Sequence, residues 1–437
     1  MRSSRRIAAE ALIKVERDGG YSNIVISNEL RREPVSNRDK AFATALFYGV
    51  LERKITLDHI ISGYIKRPLD KLDIEVLEVL RLSIYQLGFM DTVPDSAAVN
   101  EGVRLIKEMK KTSCASLVNA VLRNFLRDGK KLYNIEGLDI QKRLSIMYSV
   151  SPDIAKVLIR DYGQDHAEKI LEASFRNQNI TVRVNTLSTT ADGLVESLLQ
   201  KGIIAKKSDI LDNALEIDSC GDLTVLDEFK KGMFHVQDTA SQLCSLCLMA
   251  KENDLVYDMC SAPGGKSFTI AQQMKNKGKI LSFDIHENKL SLIKSGAERL
   301  GITIIEAAQN DASIYNEKLG LADKVLCDVP CSGLGILSKK PEIRYKSAKA
   351  IDSLLDLQYH ILCISSRYVK CGGTIVYSTC SLNKDENEKI VDKFLSENDC
   401  FGPFMLPIGD KTEYRHTFLP DAEKTDGFFV CAMKRIR

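Results

Sequence analysis

Two cysteines directly follow predicted buried strands, a position from which a reactive side chain can reach a ligand. The first lies in Asp328-Val329-Pro330-Cys331-Ser332-Gly333 and the second in Tyr377-Ser378-Thr379-Cys380-Ser381. Because ligands of open α/β sheets bind at the carboxyl ends of the strands, both thiols are expected at that edge. Cys327 and Cys363 lie within apolar stretches instead, and they are predicted to be inert residues of the interior.

A pair of thiols suits the methylation of cytosine at C5, a carbon that is a poor nucleophile. A thiolate that adds to C6 makes the ring enamine-like, so that C5 can attack a sulfonium methyl group. The adduct must then lose the C5 proton and eliminate the thiol, which calls for a nucleophile, an acid near N3 and a base near C5. A free thiol has a pKa of about 8.5, so the site should favour thiolate. Asp328 could bind the N3/N4 edge and stabilise the protonated adduct.

A turn of small residues follows another predicted strand, in Asp258-Met259-Cys260-Ser261-Ala262-Pro263-Gly264-Gly265-Lys266. Small residues let a ligand approach the backbone, but the spacing fits neither a P-loop nor the G-x-G-x-x-G of a dinucleotide fold. Asp284, at the end of the next strand, could bind ribose hydroxyls, and Asp311 could reach an adenine amino group. A lone Asp at such a position is ordinarily a helix N-cap. Acidic residues after successive strands, together with the glycine turn, favour nucleoside binding.

Strands and helices alternate over residues 227–437, which predicts a mostly parallel, doubly wound sheet with ligands at its carboxyl edge. The predicted strands are Leu255–Met259, Lys279–Asp284, Thr303–Glu306, Lys324–Asp328, Thr374–Ser378 and Phe428–Met433.

The front half of the chain has a different pattern. Residues 1–128 show apolar residues at helical spacing throughout, which predicts five to seven helices around one core. Residues 129–145 are short and charged and are interpreted as a bridge. Residues 146–226 are predicted to form a small α/β module that begins with a helix at Pro152 and includes a strand at Ile180–Val184.

Composition excludes several classes of protein. Of the 437 residues 44% are hydrophobic and 27% charged, which is typical of a globular chain, and no apolar run is long enough for a membrane span. The net charge is only +2, although residues 1–130 carry 22 Lys and Arg against 17 Asp and Glu. Twelve cysteines without an export signal indicate reduced cytosolic thiols. The pair Cys244 and Cys247 is interpreted as the buried face of a helix rather than half of a zinc site.

The three motifs, in this order, resemble those of the RNA cytosine-C5 methyltransferases of the NOL/NOP/Sun family. The resemblance implies that Cys380 is the nucleophile and that Cys331 assists product release, whereas the DNA enzymes attack with their Pro-Cys cysteine. It also implies S-adenosylmethionine as cofactor. The implied cofactor contacts are Cys260, Ser261, Ala262, Pro263, Gly264, Gly265, Lys266, Asp284, Asp311 and Asp328. Lys340–Arg344 resembles the family's substrate-side segment, with Glu342 and Tyr345 where Asp and Trp are more usual.

Residues 1–128 resemble the helical RNA-binding fold of the antitermination factor NusB, notably around Arg38-Asp39-Lys40 and Val118–Arg123. Arg183–Thr186 and Val236–Asp238 resemble the family's small RNA-binding module. This combination resembles the family members that methylate bacterial small-subunit ribosomal RNA. Phosphate contacts could come from six basic residues, which could equally form a solvated face: Arg2, Arg5, Arg6, Arg31, Arg32 and Arg38.

The sequence therefore predicts a cytoplasmic, monomeric enzyme that methylates C5 of one cytosine in 16S rRNA, without metal or membrane. The reactive cytosine must leave its stack, which favours single-stranded or looped RNA. Two alternatives stay open. The same chemistry could act on tRNA or 23S rRNA, or the chain could be a non-catalytic RNA-binding assembly factor.

Overall fold

The computed structural model describes residues 2–19, 22–133, 135–176, 179–218, 221–408, 413–423 and 425–437. It consists of two compact units. Unit 1 comprises residues 1–171 and 339–347, and unit 2 comprises residues 172–338 and 348–437. The predicted helical domain, bridge and small module each include residues outside the described ranges. No helix in those ranges combines the length and the apolar character that a membrane span requires.

Unit 1 is helical, as the spacing of apolar residues predicts. Its first part in the described ranges consists of seven α-helices: α1 Ser4–Asp18, α2 Ser22–Arg31, α3 Asn37–Glu52, α4 Lys54–Ser62, α5 Ile74–Phe89, α6 Asp95–Glu108 and α7 Ala115–Arg127. Helix α5 is buried on most of its faces and contacts α1, α3, α4, α6 and α7, so it forms the centre of the core. The helices begin and end at ordinary signals, such as the Ser3 side chain that accepts from Arg6 N and the left-handed Gly19.

The helices that follow partly differ from prediction. Helices α8 Ile140–Tyr148 and α9 Pro152–Tyr162 belong to unit 1, and α10 Gln164–Ala173 ends two residues beyond it. Helix α9 starts at Pro152 as predicted, with a Ser151 cap. Helix α8 begins inside the segment interpreted as a bridge. It packs against α4 and α9, so tertiary contacts stabilise a helix whose own sequence signal is weak.

Residues 339–347 also belong to unit 1, although they follow the first thiol motif in the sequence. They contain a short 3₁₀ helix, Pro341–Tyr345, whose Arg344 is fully buried. Arg344 donates to Tyr148 O at 3.0 Å, and its own carbonyl accepts from Ser151 N at 2.7 Å. The Tyr345 hydroxyl accepts from Lys54 N at 3.1 Å, so Tyr345 and its segment are bound within the helical unit.

Unit 2 contains a small antiparallel sheet, in the order β2-β3-β1-β4. Its elements are β1 Ile180–Val184, α11 Ala191–Leu199, β2 Ala205–Lys207, β3 Ala214–Ile217, α12 Asp227–Lys230 and β4 Phe234–Val236. Strand β1 has the predicted bounds. Strand β4 pairs with β1 although it lies beyond residue 226, the predicted end of the small module.

The larger sheet of unit 2 has eight strands in the described ranges, in the order β10-β12-β9-β8-β5-β6-β7, with β11 paired to β12. Strands β5 to β9 pair in parallel, and β10 to β12 add antiparallel pairs. The strands are β5 Leu255–Asp258, β6 Lys279–Asp284, β7 Ile305–Gln309, β8 Ala322–Asp328, β9 Val369–Thr379, β10 Phe401–Pro403, β11 Arg415–Phe418 and β12 Phe428–Arg435. The helices are α13 Thr239–Cys247, α14 Gly265–Gln273, α15 Glu287–Arg299, α16 Ala348–Asp352, α17 Leu355–Ser366 and α18 Glu388–Glu397.

The predicted mostly parallel sheet is confirmed, with every predicted strand found near its expected position. Its two faces are covered by separate apolar clusters, so the parallel strands are buried on both sides. Cys244 and Cys247 on α13 lie in one of these clusters, which confirms the interpretation of a buried helix face. Parallel pairing of β5, β6, β7, β8 and β9 brings their carboxyl ends to one edge of the sheet, where the predicted site residues lie.

Candidate active site

The turn after β5 is held against the neighbouring strand β6. The backbone N–H and the hydroxyl of Ser261 both donate to Phe283 O, at 2.7 and 2.8 Å. Gly264, with φ of 112°, is the N-cap of α14, and a Cβ there would approach the Phe268 ring to 2.5 Å. The glycine is therefore required by both the backbone angle and the space, and it leaves the backbone of residues 260–265 in a tight, fixed turn.

Two acidic residues lie at the carboxyl ends of the next two strands: Asp284 is the last residue of β6, and Asp311 follows β7. Asp284 Oδ1 accepts from His286 N at 2.9 Å, and Asp311 Oδ1 accepts from the N–H and hydroxyl of Ser313, at 2.9 and 2.6 Å. Each carboxylate thus stabilises its own turn with one oxygen. Among the described residues, neither Oδ2 atom has a hydrogen-bond partner, so each carboxylate retains an acceptor for a ligand.

The two predicted thiols lie side by side. Strands β8 and β9 pair in parallel with Asp328 opposite Ser378, and Cys331 and Cys380 follow the two strands in the chain. Their Sγ atoms are 3.1 Å apart, both side chains are partly exposed, and both are reduced cysteines. At this distance one thiol can donate an S–H···S hydrogen bond to the other.

Asp328 joins the thiols to the glycine turn. Its Oδ2 accepts from Lys266 Nζ at 2.7 Å, and its Oδ1 accepts from the Ser378 hydroxyl at 2.7 Å. Lys266, the second residue of α14, also lies over the Phe428 ring at 5.1 Å. Burial alone would lower the pKa of the Lys266 ammonium, but the negative charge of Asp328 raises it overall. Lys266 therefore stays a cation beside the thiol pair.

The electrostatic surroundings of the two thiols differ. The hydrogen bond to Cys380 is the largest cause that raises the pKa of the Cys331 thiol well above its usual range, followed by burial and by the charges of Cys380, Glu386 and Asp328. Cys331 therefore keeps its proton. An ionised Cys380 would also raise the pKa of Lys266, which places this cation within electrostatic reach of Cys380. The two thiols are therefore not electrostatically equivalent.

A buried carboxylate that sequence reasoning missed connects both thiol loops. Glu386 is fully buried, and its Oε1 accepts from Ser332 N at 2.7 Å and from Gln358 Nε2 at 2.8 Å. Its Oε2 accepts from the hydroxyls of Ser332 and Ser381. An acidic residue between a strand and a helix is ordinarily solvated, so no sequence signal pointed to this role.

A close approach of two backbones supports the same loops. Gly427 N donates to Gly335 O at 2.8 Å, and Gly335 N donates to Cys380 O at 2.9 Å. A Cβ at Gly335 would lie 1.8 Å from Gly427 O, so only glycine fits there. The segment that leads into β12 is therefore more than a turn, because its Gly427 contacts the loop that carries Cys331.

Other sequence expectations had mixed outcomes. Cys327 is fully buried, as predicted, and burial raises its pKa to about 12, whereas Cys363 is partly exposed. The six basic residues of unit 1 are not equivalent. Arg2 forms ion pairs with Glu10, Glu29 and Glu33, so its guanidinium is already paired within the unit. Arg31 and Arg38 are exposed.

Family models match three parts of the chain. Residues 2–127 match the NusB family, and residues 154–224 match the ferredoxin-like domain of RsmF/B-like methyltransferases. Residues 245–434 match the family described as 16S rRNA methyltransferase RsmB/F. The mixed sheet of unit 2 accordingly has the fold of S-adenosylmethionine-dependent methyltransferases.

Similar proteins match over the whole length. A probable ribosomal RNA small subunit methyltransferase B from Bacillus subtilis (strain 168) is 36% identical, with 99% of each chain covered. A protein of the same description from Synechocystis sp. (strain ATCC 27184 / PCC 6803 / Kazusa) is 33% identical, with 100% of each covered. The crystal structure of PH0851 is 25% identical, with a TM-score of 0.83 over 100% of this chain and 99% of the other. The chain therefore belongs to the RsmB/F family of 16S rRNA methyltransferases, with an N-terminal NusB domain and a ferredoxin-like module.

Proposed function

We propose that this protein transfers a methyl group from S-adenosylmethionine to C5 of one cytosine in 16S rRNA, through a covalent bond between Cys380 and C6. The observation that carries the proposal is the 3.1 Å approach of the Cys331 and Cys380 sulfurs at the carboxyl edge of the sheet. Small-subunit rRNA is the substrate named for the relatives that match over the whole chain.

The residues around the glycine turn fit the proposed cofactor. Gly264 keeps the turn tight, and the Oδ2 atoms of Asp284 and Asp311 remain as acceptors for ribose hydroxyls and an adenine amino group. The backbone of Cys260, Ser261, Ala262, Pro263, Gly264 and Gly265 would line the same site, with Lys266 and Asp328 beside it. When bound, S-adenosylmethionine supplies an electrophilic sulfonium methyl group.

Three side chains, Cys380, Asp328 and Cys331, have separate roles in the proposed reaction. Cys380 adds to C6 as the thiolate, favoured by the nearby Lys266 ammonium, and the electrons of the C5–C6 bond become nucleophilic at C5. Asp328 binds the N3/N4 edge and stabilises the positive charge of the protonated ring. After methylation a solvent water accepts the C5 proton, the electron pair of that C–H bond re-forms the C5–C6 double bond, and Cys380 departs with the electron pair of the S–C6 bond. Cys331 assists this elimination.

RNA binding is assigned to both accessory parts of the chain. We propose residues 1–128 and the small module, residues 146–226, as RNA-binding domains, with phosphate contacts from exposed cations such as Arg31 and Arg38. Such contacts would offset the few kcal/mol needed to unstack the target base. The enzyme is proposed to act in the cytoplasm as a monomer.

Adduct trapping tests the proposal. With 16S rRNA and S-adenosylmethionine, Cys331→Ala should accumulate a covalent RNA–protein adduct, whereas Cys380→Ala should form no adduct and transfer no tritium from labelled cofactor. Cys327→Ala, a buried cysteine outside the pair, is the matched control and should behave as wild type.

Three results would change the conclusion. An adduct on Cys380→Ala would reverse the roles of the two thiols. Transfer to tRNA or 23S rRNA but not to 16S rRNA, mapped by mass spectrometry, would reassign the substrate. RNA binding without any methyl transfer by the wild-type protein would favour an assembly factor.

A further inference from the structure

The residue after each of the two cysteines is hydrogen-bonded to the Glu386 carboxylate. Ser332, directly after Cys331, is bound to Glu386 through both its N–H and its hydroxyl, and Ser381, directly after Cys380, through its hydroxyl. The two hydroxyl oxygens are themselves 2.8 Å apart. One carboxylate is therefore hydrogen-bonded to the residue that follows each of the two cysteines.

A third residue braces the other side of the Cys331 loop. Gln358 Nε2 donates to Pro330 O at 2.9 Å and to Glu386 Oε1 at 2.8 Å. Pro330 and Ser332 are thus both fixed, one on each side of Cys331. Helix α17, which carries Gln358, supplies a rigid support for the loop.

The cost of burying Glu386 indicates a specific purpose. A carboxylate without solvent is strongly unfavourable unless donors satisfy it. Here four donor groups do so, and within the described part of the chain no Lys, Arg or His pairs with it. An apolar residue in this place would leave these four donors without an acceptor, so the carboxylate is required by the groups that it holds.

We propose that Glu386 is a positioning residue that fixes the two thiols relative to each other by holding both cysteine loops with one carboxylate. This inference rests on the proposed function, in which the two thiols act in turn on one cytosine. Loss of the side chain releases Ser381 and with it the loop of the nucleophile Cys380. The rate of adduct formation should therefore fall by about 100-fold, the effect of a misplacement near 1 Å. Affinity for RNA should change little, because Glu386 is fully buried.

Two conservative variants separate position from charge. In Glu386→Gln the amide oxygen can accept from Ser332 N–H and Gln358, while the amide nitrogen donates to the two serine hydroxyls, which can rotate to accept. Glu386→Asp keeps the charge but is one methylene shorter, so it cannot reach both loops. Positioning predicts that Gln rescues the adduct rate and Asp does not.

The experiment measures single-turnover adduct formation on RNA that contains 5-fluorocytidine, together with binding of phenylarsine oxide to the free enzyme. The arsenical bonds two adjacent thiols and releases water, and Cys331→Ser gives its background. Asp323→Ala is the matched control. Asp323 accepts from Leu255 N and Lys370 Nζ at the start of β8, so its loss should lower stability without slowing the adduct.

The expected result is a slow adduct and weak arsenical binding for Glu386→Ala and Glu386→Asp, and near wild-type values for Glu386→Gln and Asp323→Ala. Wild-type rates in Glu386→Ala, or a faster Asp than Gln variant, would overturn the inference. If Glu386→Ala fails to fold, the comparison of Gln with Asp still decides. A wild-type enzyme that binds the arsenical but forms no adduct would refute the proposed function and leave the positioning role intact.

Discussion

Replacing Gly335 by alanine tests the closest backbone contact near the thiols. A Cβ at this position would lie 1.8 Å from Gly427 O and 2.4 Å from its carbonyl carbon. No rotamer change can relieve a clash with backbone atoms, so the two segments must separate. The separation would break the hydrogen bond from Gly427 N to Gly335 O and strain the one from Gly335 N to Cys380 O.

The size of the effect follows from these contacts. Overpacking costs about 1–3 kcal/mol, and one lost hydrogen bond adds about 1 kcal/mol. Gly335→Ala should therefore lower the free energy of unfolding by about 2–4 kcal/mol. Adduct formation should also slow, because the loop of Cys380 loses its fixed position.

Urea denaturation and single-turnover adduct formation would measure both effects. Gly320→Ala is the matched control, since a Cβ there meets nothing within 4 Å and its φ is outside the left-handed region. If Gly335→Ala were as stable and as fast as Gly320→Ala, the close approach and the role given to it would be refuted.

Three further predictions concern charge and redox state. Lys266→Met should raise the pH at which adduct formation is half-maximal, because it removes the cation proposed to favour ionised Cys380. A pH–rate profile measures this shift, and Lys370→Met is the control. Asp258→Asn should be more stable than wild type at pH 8, as shown by thermal unfolding, since burial raises the pKa of Asp258 to about 7. Dilute hydrogen peroxide should oxidise the Cys331 and Cys380 thiols to a disulfide, with two molecules of water formed. Peptide mass spectrometry would detect the disulfide, and dithiothreitol should restore activity.

The sign of the Asp258 effect follows from linkage. A carboxyl group with a raised pKa binds its proton more tightly in the folded protein, so its contribution to stability is present at low pH and is lost as the pH rises from about 4 towards 7. The Asn variant lacks this loss. If the stability of wild type and Asp258→Asn had the same pH dependence, a buried protonated Asp258 would be contradicted. An unchanged pH–rate profile in Lys266→Met would contradict the role of the cation. Inactivation by peroxide that dithiothreitol does not reverse would contradict a disulfide.

Elements whose residue pattern is local along the chain were predicted correctly from the sequence. Strand β6 was predicted with its observed bounds, because its residues are buried and a glycine turn precedes it. Strand β9 was predicted only from Thr374, since Gly372, with φ of 78°, and a register shift interrupt its first half. Both cysteine motifs stood out because each follows a buried strand.

Contacts between distant parts of the chain could not be predicted in this way. Glu386 lies 54 residues from Ser332, and nothing in its neighbourhood distinguishes it from a solvated acid. Arg2 similarly pairs with Glu29 and Glu33, which only the folded helices bring to it. Partners of this kind depend on tertiary structure, which a pattern of single residues does not encode.

The membership of residues 339–347 in the helical unit affects the order in which the protein can fold on the ribosome. Domains commonly fold as they are synthesised, from the N-terminus, at about 5–20 residues per second. The rest of the helical unit ends at Leu171, so roughly 10–35 s pass before its last piece emerges. During that interval the nascent helices lack the Arg344 side chain that later donates to the Tyr148 carbonyl, so the helical unit gains its full set of contacts only after residue 347 has been synthesised.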